Sequence, residues 1–169
     1  SNIFIDKYGR PKIADFGLSQ EMRDLQAKTT CFDGSLCFQS PQVILCEPYN
    51  PFKADVWSLG CTFYYFATGG LPFASDNPER LTFLIESGLY NIPATVNKDF
   101  AHLIKEMLTV PEESRPSMSR VKSYLMNIMY DKQTALAPYP KPIQTKIRTF
   151  ATEQRRFSTL SKCARSSII

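Results

Sequence analysis

Asp15 is the first residue of the chain whose type and setting suggest chemistry. A carboxylate presents hard oxygen atoms, the donors that magnesium takes. Asp15 stands in KIADFGLSQ, residues 12–20, an ionisable group between small or apolar residues and a Phe-Gly pair. Taken alone, an Asp in such a place is a turn or cap residue. Whether it does more depends on the elements around it.

NIFI and PKIA are short runs of β-type residues joined by DKYGR, whose Gly9 supplies the turn. They predict a β-hairpin, with Asp15 at the end of its second strand where a loop begins. Residues 15–41 have no sustained period and include Gly17, Gly34 and Pro41. A loop that long inside a compact domain is usually functional or disordered. From residue 40 onward the pattern is helical. Residues 54–68, with VWSLGCTFYYFA, predict a helix buried on all sides, ended by Gly69-Gly70 and Pro72. Asp76-Asn77-Pro78-Glu79 marks a helix start, followed by Leu81, Leu84 and Ile85 on one face. Phe100, Leu103, Ile104, Met107 and Leu108 recur at helical offsets, and Val121, Tyr124, Leu125, Ile128 and Met129 repeat them. The expected fold class is mainly α, a helical bundle with one short β-hairpin.

The 169 residues are 43% hydrophobic and 12% aromatic, too apolar for a disordered chain. The net charge of +4 is unevenly placed. Residues 133–169 hold seven Lys and Arg against one acid, and residues 1–132 hold 13 against 15. A mildly acidic folded part argues against a nucleic-acid-binding domain. Five cysteines without a C-x-x-C pattern indicate neither a disulfide framework nor a zinc knuckle, and fit a cytoplasmic protein. The most apolar stretch is too short to be a transmembrane segment.

Asn2, the Asp15-Phe16-Gly17 triplet, GSLCFQSPQ and DVWSLG follow one another in an order that resembles the C-terminal lobe of eukaryotic protein kinases. The likeness covers residues 1 to about 130, and AKTTC is similar to a stretch of AMP-activated-kinase-like serine/threonine kinases of the calmodulin-dependent group. The resemblance implies a kinase C-lobe with the hairpin at the catalytic cleft, transferring phosphate from Mg-ATP to Ser or Thr of protein substrates. It implies ATP and Mg2+ as cofactors, with Asn2 and Asp15 as the metal and nucleotide-phosphate ligands. Phe16 and Gly17 then let the metal loop rotate, and residues 15–41 become the activation segment. Within it Thr29, or failing that Thr30, is the expected target of an upstream activating kinase; Phe32-Asp33 look like extra residues. Ser35 would shape the substrate site. Asp55 would anchor the catalytic-loop backbone, and also serve as an acid at a helix N-terminus. The general base, the Gly-rich loop and the ATP-holding lysine fall before Ser1, so the chain reads as a fragment with no catalytic base of its own.

One position departs from the family pattern. Ala-Pro-Glu appears as Ser40-Pro41-Gln42, and the arginine that normally pairs with the glutamate matches Arg115. Either Arg115 is partly solvated or another acid, such as Glu47, takes over. The same departure keeps open an alternative, a pseudokinase acting as a binding or scaffold module. Residues 1–132 are expected to form the partial kinase domain, and 133–169 a Pro-containing linker and a basic, disordered tail. Ile147, Phe150, Phe157 and Leu160 among Lys146, Arg148, Arg155 and Arg156 could bind calmodulin or an anionic surface.

Overall fold

The computed structural model describes residues 2–19, 21–22, 24–30 and 34–133, the last three for their backbone alone. The reading of a linker and tail, and of Phe32-Asp33 as extra residues, lies outside that range apart from Gln133. The chain divides into two units, one within residues 1–21 and one within 22–138.

The first unit is the expected hairpin. Strands β1 (Ile3–Ile5) and β2 (Pro11–Ile13) pair antiparallel with Ile3 opposite Ile13 and Ile5 opposite Pro11. Gly9 takes the left-handed φ of 77° that the turn requires. Asp6 contributes as much. Its carboxylate accepts the Tyr8 and Arg10 N–H groups at 2.9 and 3.0 Å and the Arg10 Nε–H at 2.8 Å. The Arg10 backbone donor is the chief cause that holds the Asp6 pKa below its usual value. Phe4, Ile5, Ile13, Phe16 and Leu18 are exposed. A two-stranded ribbon with apolar residues on both faces is marginal by itself.

The second unit is helical: α1 (Pro41–Ile44), α2 (Pro51–Thr68), α3 (Pro78–Ser87), α4 (Lys98–Met107) and α5 (Met118–Gln133), with short 3-10 turns at Leu36–Phe38 and Glu112–Ser114. Helix α2 starts three residues before the expected 54. Asn50 caps it by accepting the Phe52 and Lys53 N–H groups, and Pro51 occupies the first helical position, where its missing N–H costs nothing. Its other end stops at Gly69, left-handed at φ 79°. Helix α3 begins where expected, capped by Asn77.

Trp57, Cys61 and Tyr64 of α2 pack with Phe73, Leu81, Ile85, Ile104 and Leu108 in the main core. The Trp57 and Phe73 rings stack at 5.5 Å, and Tyr90 meets Phe73 edge-on at 5.4 Å. Val56, Leu103, Met107 and Val121 form a second cluster. Where α2 crosses α4 the contact is made by Gly60: a Cβ there would lie 3.0 Å from Met107 Cβ and 3.0 Å from Leu108 Cδ2. The α5 stripe fades along the helix. Val121 is 1% exposed but Met129 is 57% exposed, because only the first half of α5 faces that cluster. No helix among the described residues is long and apolar enough to cross a membrane.

Candidate functional site

The hairpin closes residues 2 and 15 onto each other. The Ala14 N–H donates to the Asn2 carbonyl at 2.8 Å, and Asn2 Nδ2 donates to Asp15 Oδ2 at 3.1 Å. Asp15 leaves the strand at φ 65°, in the left-handed region that Asp and Asn enter more readily than other residues with a Cβ. The Gly17 N–H lies 3.4 Å from Asp15 Oδ1, and Ser19 donates through its N–H and its hydroxyl to the Phe16 carbonyl at 3.0 and 2.7 Å. Asn2, Asp15, Phe16 and Gly17 are exposed.

This donor pair fits a magnesium ion. Half a turn of the Asn2 amide exchanges its NH2 for its oxygen, giving two hard oxygens side by side. Adjacent ligands of an octahedral magnesium, each at about 2.1 Å, stand roughly 3 Å apart, close to the 3.1 Å between the two side-chain tips. Among the described residues no three His, Cys, Asp or Glu side chains gather into a metal-binding group. A magnesium ion held by two side chains would draw its other ligands from water or phosphate oxygens, as is common for this ion.

In the second unit Thr29 is half-buried and Thr30 exposed. Thr29 and Tyr49 form an antiparallel bridge, each N–H donating to the other's carbonyl at 2.9 and 3.1 Å. Ser35 is exposed and precedes the turn at Leu36–Phe38, its carbonyl accepting the Phe38 N–H at 2.9 Å.

Gln42 and Arg115 do meet. Arg115 is 2% exposed, which overturns the expectation of partial solvation, and Glu47 does not replace the lost glutamate. Arg115 Nη2 donates to Gln42 Oε1 at 2.6 Å and to the Val110 carbonyl at 2.8 Å; Nε donates to the Thr109 carbonyl at 2.7 Å and Nη1 to the Lys53 carbonyl at 3.2 Å. The guanidinium also lies 4.9 Å from the Trp57 ring. Burial pulls its pKa down to about 10, with Glu112 and Glu113 acting the other way, so it stays charged at neutral pH. Backbone oxygens do the work expected of a carboxylate. Gln42→Glu is expected to raise the melting temperature by about 4 °C. A charge-assisted bond is worth about 1 kcal/mol more than a neutral one, although the bond from Gln42 Nε2 to the Val110 carbonyl, 2.9 Å, is forfeited. A thermal melt showing no rise would mean that carbonyl dipoles already compensate the charge fully.

Asp55 is not an N-terminal helix acid. With α2 beginning at Pro51 it is the fifth helical residue, and the first turn holds no acid; the dipole effect fades within that turn. Surrounding protein nevertheless desolvates its carboxyl and pushes the pKa up, although the residue as a whole is exposed. A raised carboxyl pKa favours the folded state below the unfolded value of about 3.8 and loses that contribution as pH rises through the folded pKa. Asp55→Asn is therefore expected to raise the melting temperature at pH 7, with the difference vanishing below about pH 4. Melts at both pH values check it.

Three residues that sequence reasoning passed over join this region: Asn50, Lys28 and Glu112. Asn50 Nδ2 donates to the Leu25 carbonyl at 2.7 Å, its N–H donates to Glu112 Oε2 at 3.0 Å, and Lys28 Nζ pairs with Glu112 Oε1 at 3.2 Å. The Asn50-Pro51 dipeptide is a cap signal that could have revealed the first of them.

The protein kinase domain family matches residues 1–125. Sperm motility kinase 2A of Mus musculus is 36% identical over 139 residues, covering 82% of this chain and 27% of that protein. Putative sperm motility kinase W of Mus musculus is 40% identical over 124 residues, 73% of this chain and 24% of its own length. Probable serine/threonine-protein kinase HSL1 of Saccharomyces cerevisiae is 33% identical over 132 residues, 77% of this chain and 9% of that protein. The chain thus spans at most about a quarter of the length of these relatives. With the family matching 125 of 169 residues and the Asp-Phe-Gly turn closed against Asn2, the chain belongs to the protein kinase domain family.

Proposed function

We infer that the protein acts as an ATP-dependent serine/threonine protein kinase and that these residues supply the C-terminal lobe of its kinase domain, with residues 133–169 as an appended linker and tail. The observation that carries this reading is the 3.1 Å approach of Asn2 to Asp15 at one end of the hairpin, within a chain of the kinase family. When bound, Mg2+ offsets the negative charge spread over the transferring phosphoryl group. Asn2 and Asp15 hold and orient that cation together with the nucleotide phosphates. The Gly17 N–H and the Asn2 amide orient the carboxylate, and the exposed Phe16 ring is free to repack.

Residues 15–41 are assigned to the activation segment, with Thr29 or the more open Thr30 as the target of an upstream kinase. Ser35 is assigned to the substrate-facing step that favours Ser and Thr hydroxyls. Asp55 is assigned to anchoring the catalytic-loop backbone; its desolvated carboxyl, with no donor among the described residues, supports a group retained for a purpose other than stability. Among the described residues the thiols of Cys46 and Cys61 are free, which supports a cytoplasmic site of action. Likeness to AMP-activated-kinase-like enzymes rests on AKTTC alone. The pseudokinase alternative drew on Gln42, and Gln42 keeps its bond to Arg115, so that departure bears on stability rather than on chemistry.

The test is transfer of labelled phosphate from Mg-ATP by the intact protein to a mixed protein substrate, followed by phosphoamino-acid analysis. Phosphoserine and phosphothreonine that vanish on chelating magnesium are the expected products. No transfer, with no magnesium-dependent nucleotide binding, would establish the scaffold reading instead.

A further inference from the structure

Asn50 is 8% exposed, and its side chain and its N–H are all engaged. Its Oδ1 accepts the Phe52 and Lys53 N–H groups at 3.0 and 3.2 Å, which is the capping of α2. A cap needs only that acceptor, and Asp or Ser would serve as well as Asn. The NH2 that distinguishes Asn is spent elsewhere, on the Leu25 carbonyl at 2.7 Å. One residue earlier, Tyr49 exchanges backbone hydrogen bonds with Thr29. The Asn50 N–H donates to Glu112, whose second oxygen receives Lys28 Nζ. Positions 25, 28 and 29 are thus each fastened to residues 49, 50 or 112, by three kinds of bond.

We propose that Asn50 is a positioning residue that straps Leu25–Thr29 to the N-terminus of α2, with the Lys28–Glu112 ion pair as the second fastening. Calling that stretch part of an activation segment rests on the kinase reading above; the strap itself does not. Its consequence is that this part of the segment is ordered before any substrate arrives, so the entropy of fixing it is not charged against binding. The single neutral donor of Asn50 is what makes the device separable from the cap, because the acceptor and donor atoms serve different elements.

The test is residue-resolved amide hydrogen exchange on the intact protein. Asn50→Ser keeps a capping oxygen but cannot reach Leu25, and Asn50→Asp keeps the cap while setting a carboxylate against the Leu25 carbonyl and near Glu112. Both are expected to speed exchange at the Thr29 and Tyr49 amides by about five- to tenfold, the worth of one lost hydrogen bond. Amides inside α2, such as those of Cys61 and Tyr64, are expected to hold their rates. Lys28→Met is expected to speed the same two amides by about twofold and to abolish their dependence on salt. Unchanged Thr29 and Tyr49 amides in Asn50→Ser overturn the proposal. Acceleration spread evenly along α2 also overturns it, since that is the signature of a lost cap. If the Asn50 variants do not fold, Lys28→Met decides by the same two amides. Phosphoryl transfer is read separately, so failure of the kinase reading leaves the exchange result standing.

Discussion

Arg115→Ala is expected to lower the unfolding free energy by about 4 kcal/mol, within the range for disrupting a buried charge network or truncating a large core side chain. The loss has three sources. The Thr109 and Lys53 carbonyls and Gln42 Oε1 lose their guanidinium donor in a place water reaches poorly, each at a cost of about 1–3 kcal/mol before relaxation. The Trp57 ring loses the cation 4.9 Å away. A cavity opens among residues that are themselves buried. Against a typical domain stability of about 5–15 kcal/mol the change is large. Arg115→Lys keeps the charge but offers a point donor where a planar fork serves four acceptors, so about half the loss is expected to remain. Urea denaturation with an unchanged m-value checks both. A loss under about 1 kcal/mol for Arg115→Ala would show that the acceptors find water.

Asp15→Asn in the intact protein is expected to lower kcat by about a thousandfold, near 4 kcal/mol of transition-state stabilisation, and to leave the melting temperature unchanged. Folding is spared for two reasons. Asparagine tolerates the left-handed φ of 65° at this position, and its oxygen can still accept the Asn2 NH2. Chemistry is not spared, because a neutral amide supplies no charge to hold a divalent cation against competing water. The pairing of a collapsed rate with an intact melt separates a metal ligand from a turn residue. An activity within tenfold of the unaltered protein would return Asp15 to the role of a turn aspartate.

How much of this was legible depends on how far each signal reaches along the chain. The hairpin and the approach of residues 2 and 15 follow from short β runs around DKYGR, a local pattern, and the α3 start at Asn77-Pro78 was equally readable. The same dipeptide at Asn50-Pro51 was passed over, because the continuous apolar run that announced α2 begins only at Val56, and Pro51 and Lys53 in the first turn gave no helical period. With the start misplaced, Asp55 was read as a helix-end acid. The Gln42–Arg115 contact was legible from the family pattern, but its compensation was not. The acceptors are backbone carbonyls of residues 53, 109 and 110, and every residue has a carbonyl. Lys28 and Glu112, 84 positions apart, carry no mark that they meet. Met129 fits the helical offsets of α5 and is exposed, since periodicity names a face without saying what covers it.

The crossing at Gly60 has a consequence for motion. Packed helices ordinarily yield by sliding along one another, each side chain riding over its neighbour's ridge. Here a hydrogen atom is all that fits beside Met107 and Leu108, and sliding α2 along its axis would bring its same-face neighbours, Val56 and Trp57 from one side or Tyr64 from the other, toward the gap. Shear between α2 and α4 is therefore blocked, and any mobility of this unit must arise in its connecting stretches rather than along that seam.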